Sequence, residues 1–94
     1  MKLIQRNYRC PLGEIDLIMR DRHCLVFVEV RYRRQSRFGG ALESIDTHKQ
    51  TKLRRAALHY LNSVNGHGSE CRFDILCLQG ELHKPDIMWL DNAL

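Results

Sequence analysis

A chain of 94 residues makes one domain, near the lower limit at which a single apolar core holds without staples. An apolar fraction of 44% excludes a disordered polymer, and no apolar run approaches the ~20 residues of a membrane-spanning helix. Fifteen Lys and Arg against eleven Asp and Glu leave a net charge of +4, which suits a polyanionic partner without establishing one.

Cys10, Cys24, Cys71 and Cys77 form no C-x-x-C pair and no paired-histidine spacing, so they read as structural thiols in a reducing compartment rather than as zinc ligands. Met1 to Asn7 contains no apolar leader. The expectation is a soluble, cytoplasmic chain.

Leu3 to Cys10 is strand-capable, and Cys10-Pro11-Leu12-Gly13 closes it with a turn. Glu14 to Arg20 alternates, with Glu14 and Asp16 on one side and Ile15, Leu17 and Met19 on the other. After the polar turn Asp21-Arg22-His23, Cys24 to Arg33 is the strongest strand, rich in Val, Phe and Tyr. Its two faces are Val26, Val28, Val30 and Tyr32, and Leu25, Phe27, Glu29, Arg31 and Arg33. Gln35 to Asp46 reads as a loop around Gly39-Gly40. Thr47 then opens a helix, with Thr47 and Gln50 in the form of a capping box. Leu53, Ala56, Ala57, Tyr60, Leu61 and Val64 make its apolar stripe, and Asn65-Gly66-His67-Gly68 ends it. Cys71 to Leu78 and Asp86 to Leu90 are the remaining strands.

The order β-β-β-α-β-β predicts an α/β fold. Its mixed β-sheet has an antiparallel hairpin and one crossover helix, which makes the long strand and Cys71–Leu78 parallel.

Two i, i+2 pairs carry the chemistry. Glu14 and Asp16 share a face of one hairpin strand, and Glu29 and Arg31 share a face of its partner. If register joins those faces, three carboxylates and a guanidinium meet at one patch. Hard cations such as Mg²⁺ or Mn²⁺ take a few carboxylate oxygens plus water and phosphate oxygens, and Arg31 would stabilise charge developing on a phosphate. Cross-strand ion pairing on a solvated face explains the same spacing. Against it stands Glu29, embedded in Leu25-Val26-Phe27-Val28-Glu29-Val30, where an unpaired charge is costly.

Several ordered motifs run through nearly the whole chain. They are Gly13-Glu14-Ile15-Asp16-Leu17-Ile18, Val26-Phe27-Val28-Glu29-Val30-Arg31-Tyr32-Arg33, Arg37-Phe38-Gly39-Gly40-Ala41, Lys49-Gln50 opening a helix, Cys71-Arg72-Phe73-Asp74, and Trp89-Leu90-Asp91-Asn92-Ala93. Together they closely resemble the bacterial YraN family, which is assigned to the restriction-endonuclease-like fold. That family is similar to Holliday-junction resolvases and other nucleases of the PD-(D/E)xK type. The resemblance implies that Asp16 and Glu29 are metal-binding acids, with Glu14 assisting. Arg31 stands in the place of the motif lysine, and Gln50 matches a glutamine on the following helix.

Two departures follow from the same resemblance. Arg31 stays protonated, so it can clamp a phosphate but cannot act as a base. The family's usual N-terminal helix does not precede Met1-Lys2-Leu3-Ile4, which implies a single nuclease-like domain over 1–94, shortened at its N-terminus. A homodimer would be another way to cover the sheet.

Arg33, Arg34, Arg37, Lys49, Lys52 and Arg55 are candidates for phosphate contacts. A solvated loop and helix face is the plain alternative. His23, His48, His59, His67 and His83 read as surface residues, Tyr60 as core and Trp89 as packing. Three functions remain open. The first is a Mg²⁺- or Mn²⁺-dependent endonuclease acting on DNA, with structured or branched DNA as the form the resemblance suggests. The others are a non-cleaving nucleic-acid-binding module of the same fold, and a protein–protein adaptor.

Overall fold

The computed structural model describes residues 1–33, 45–66, 68–81 and 83–94. Strands β1 (Lys2–Cys10), β2 (Gly13–Asp21) and β3 (Cys24–Arg33) form an antiparallel meander. Helix α1 (Thr47–Ser63) leads to β4 (Glu70–Gln79), which lies parallel to β3, and β5 (Asp86–Leu90) returns antiparallel to β4. The sheet order is β1-β2-β3-β4-β5, so the expected α/β fold and its mixed sheet are observed. Pairing of β3 with β4 is unbroken from Cys24↔Glu70 to Arg33↔Gln79. Among the described residues, no helix is long and apolar enough to cross a membrane.

The main core lies between α1 and the first three strands. Ile15, Ile18, Leu25 and Phe27 from the sheet pack with Leu53, Ala56, Ala57 and Tyr60 from the helix. The two alanines let the backbones approach, while Tyr60 meets Phe27 and Tyr8 edge-on, with ring centroids 6.1 and 5.2 Å apart. A second cluster, Ile45, Ile75 and Cys77, is packed by Met88, Leu90 and Ala93.

Two local expectations change. First, Ile15 and Ile18 are both fully buried in the helix-side core although they are three residues apart. A regular strand would point them to opposite faces. Pairing of β2 with β3 stops at Leu17↔Val28. On the other side, Asn7 takes φ 53° between the rungs Arg6↔Leu17 and Tyr8↔Ile15. The hairpin is therefore kinked at Asp16, and the simple grouping of Ile15 with Leu17 and Met19 fails there.

Second, the helix cap is Asp46, whose carboxylate accepts the Lys49 N–H at 2.9 Å. A carboxylate at this position also faces the positive end of the helix dipole. Thr47 is thus the first helical residue, and Gln50 donates its amide to the Ile45 carbonyl at 3.2 Å. At the other end Asn65, at φ 55°, turns the chain so that the Gly66 N–H reaches the Leu61 carbonyl at 2.7 Å.

On the sheet face away from the helix, Asp74 is fully buried. Its carboxylate accepts the Trp89 indole N–H at 2.7 Å, the Asn92 N–H at 2.8 Å and Arg72 Nε at 3.1 Å. Arg72 reaches on to Asp21 at 3.1 Å. This network ties β2, β4, β5 and the C-terminal residues together, and gives Trp89 a polar as well as a packing role.

Candidate functional site

Because β3 and β4 are parallel, the crossover brings the end of β3 and the start of α1 to the same side of the sheet, where α/β proteins tend to place ligands. A cleft of about 470 Å³ opens there, lined by Arg9, Cys10, Gly13, Glu14, Glu29, Arg31, His48, Lys49, Lys52 and Leu53. The β1–β2 turn forms one wall. It sits close against the helix, and a Cβ at Gly13 would lie 3.1 Å from the Lys52 carbonyl oxygen. His48, Lys49, Lys52 and Leu53 line the cleft from the helix.

Glu29 and Arg31 lie side by side, with Arg31 NH2 3.3 Å from Glu29 Oε1 and each side chain about one-fifth exposed. Burial pushes the Glu29 carboxyl above its usual range, and the negative charges of Asp16 and Glu14 push the same way. Arg31 and Lys49 pull it back, without cancelling the rise. The buried Nε of Arg31 has no hydrogen-bond partner, which leaves a donor of this cation unsatisfied beside Glu29.

Asp16 is not among the residues that line the cleft, but its charge reaches Glu29 and a different bond fixes it to the same strand. Its Oδ2 accepts the Val30 N–H at 2.8 Å, between Glu29 and Arg31 in sequence. Glu14 lines the cleft but turns to Arg9, 3.5 Å away and exposed. As the side chains lie, no three His, Cys, Asp or Glu among the described residues come together as a metal-holding group. The donors therefore fit a hard cation that takes one or two carboxylates and completes its shell with water and phosphate. They do not fit a cage built from protein alone.

Of the other candidates, Lys49 and Lys52 line the cleft, whereas Gln50, Arg33 and Arg55 do not. Gln50 is engaged with Ile45, and Arg33 and Arg55 are exposed. Arg34, Arg37 and the Gly39-Gly40 pair lie outside the described residues, as does His67.

Sequence reasoning missed Arg9, Cys10 and His48. The signal for His48 was present, since positions 48, 49, 52 and 53 share a helical face. Arg9 was not legible, because it reaches the site only through the register that sets it opposite Glu14. Two other histidines have different places: His59 Nδ1 and the Tyr8 hydroxyl share a hydrogen bond, and His83 pairs with Glu81.

These features define an α/β domain with a cation-rich cleft around a half-buried Glu–Arg pair. The chain belongs to the uncharacterised protein family UPF0102, whose family model matches residues 1–78. It is 53% identical to a UPF0102 protein of Nitrosococcus oceani over 94 residues, covering 99% of this chain and 76% of the relative. A UPF0102 protein of Nitrosospira multiformis is 55% identical over 91 residues, covering 97% and 75%. One of Shewanella loihica is 47% identical over 93 residues, covering 99% and 77%.

Proposed function

We propose that this protein binds nucleic acid in the cleft and hydrolyses a DNA phosphodiester there with the help of a divalent metal ion. The observation that carries the reading is the half-buried Glu29, its proton affinity raised by burial and by Asp16, beneath a rim of Arg9, Lys49 and Lys52. A site that repels a second negative charge at the acids, yet surrounds them with cations, suits a cation and a phosphate arriving together.

Asp16 and Glu29 would hold Mg²⁺ or Mn²⁺. When bound, the ion would supply Lewis acidity and an acidified water. Arg31 donates to a non-bridging phosphate oxygen and steadies its charge in the transition state. Lys49, Lys52 and Arg9 hold the neighbouring phosphates, which sets affinity and position without reading sequence. The restriction-endonuclease-like resemblance supports this reading, and branched DNA is the first form to test.

A second reading has its own observation. Arg31 occupies the lysine's place as a permanent cation, already paired with Glu29, which favours a module that binds without cutting. The decisive experiment is cleavage of linear and branched DNA with Mg²⁺ or Mn²⁺, by the wild-type chain and by Glu29→Ala. Cleavage lost in the variant supports the nuclease. Binding without cleavage selects the second reading, and cleavage that survives Glu29→Ala rejects the site.

A further inference from the structure

Resting on the nuclease reading, we infer that His48 is the general acid that protonates the leaving oxygen. Phosphodiester hydrolysis breaks a P–O bond to an alkoxide, a strongly basic leaving group that departs more easily when it receives a proton as the bond breaks. The cleft supplies cations in plenty, but few groups suited to giving up a proton.

Arg9 and Arg31 carry guanidinium groups, which keep their protons. Glu29 is engaged with Arg31 and assigned to the metal, while Glu14 faces Arg9. Lysine ammonium groups are weak acids unless strongly perturbed, and Cys10 lies in the turn wall. Histidine is the residue type that gives and regains a proton near neutral pH. His48 is the one histidine among the described cleft residues. It stands in the first turn of α1 beside Lys49 and lines the same cleft as the Glu29–Arg31 pair. A phosphate held between Arg31 and Lys49 would lie in the cleft that His48 also lines, with a bridging oxygen open to its imidazole.

The step balances simply. The oxygen of the attacking water bonds to phosphorus and its proton passes to solvent. The bond from phosphorus to the leaving oxygen breaks, and that oxygen takes its proton from the His48 imidazolium. The neutral imidazole is then reprotonated from solvent.

The test compares His48→Ala with the wild-type chain on two DNA substrates in the same Mn²⁺ buffer. One carries the natural bridging oxygen. The other carries sulfur at the bridging position whose oxygen leaves, as read from the wild-type products. A thiolate departs without protonation, so a missing general acid matters only for oxygen. The expected result is at least a ~100-fold slower cleavage of the oxygen substrate, near wild-type cleavage of the sulfur substrate, and unchanged DNA binding by fluorescence anisotropy. Equal slowing on both substrates, or no slowing on either, would overturn the assignment while leaving the nuclease reading in place. If the wild-type chain cleaves neither substrate, the nuclease reading falls, and the assignment with it.

Discussion

The Asp16 carboxylate accepts the Val30 N–H at 2.8 Å, one residue past Glu29 and one before Arg31. Backbone pairing between β2 and β3 ends at Leu17↔Val28, so beyond that rung a side chain serves the amide that a strand would otherwise serve. The bond orients Asp16 and holds the splayed hairpin against β3. A residue proposed to hold metal is therefore also a structural part.

Those two roles separate by substitution. Asp16→Ala leaves the Val30 N–H without its acceptor and should cost about 1–3 kcal/mol, read by urea denaturation. Asp16→Asn retains an oxygen acceptor and should stay within ~1 kcal/mol of the wild type. Both variants should lose cleavage. If Asp16→Asn cleaves DNA normally, Asp16 is structural alone.

Glu29 gives a pH dependence of definite sign. Its carboxyl holds a proton more tightly in the fold than in the unfolded chain, chiefly through burial. Folded chains then bind more protons than unfolded ones from the ordinary glutamate range up to the raised value, so this contribution to stability declines as pH rises through that window. Glu29→Gln, which imitates the protonated form, should be more stable than the wild type at neutral pH. The difference should close below the ordinary glutamate range. In the wild type, Mg²⁺ should lower the Glu29 titration midpoint seen by carboxyl ¹³C NMR. A midpoint that does not move with Mg²⁺ would remove Glu29 from the metal set.

Lys49 and Lys52 predict a salt dependence. If both neutralise phosphates, the logarithm of DNA affinity should fall with the logarithm of salt, and the double alanine variant should reduce that slope by about 1.8, at ~0.9 per contact. Equal slopes for wild type and variant would place both lysines on a merely solvated wall. Arg55→Ala, outside the cleft, is the natural comparison.

Asp74 makes a prediction about stability alone. Removing a buried carboxylate that serves Trp89, Asn92 and Arg72 strands three donors, and Asp74→Ala should destabilise by about 3–5 kcal/mol. Asp74→Asn keeps an acceptor for some of them and should cost less. Trp89 fluorescence reports the change directly, since its indole N–H is one of the bonds lost.

The strands were legible because alternation and composition are local. Cys24 to Arg33 carries β-branched and aromatic residues on a two-residue period, and the helix carries its stripe at helical spacing. The cap was misplaced by one residue because Thr47 and Asp46 are both good caps, and only the settled backbone shows which side chain reaches the free amide. The kink at Asp16 was not legible. It arises where two strands part, a property of neither strand's own pattern.

The sequence alone determined which acids and bases exist, the order of elements and the parallel crossover, because these follow from local periodicity and chain connectivity. Tertiary structure decided which of those charges meet. It brought Arg9 and His48 into one cleft with Glu29, turned Glu14 to Arg9, left Arg33 and Arg55 outside, and held Asp16 to β3. Charges are carried by residues, but a site is made by the distances between them, and those depend on how the turn, strand and helix pack.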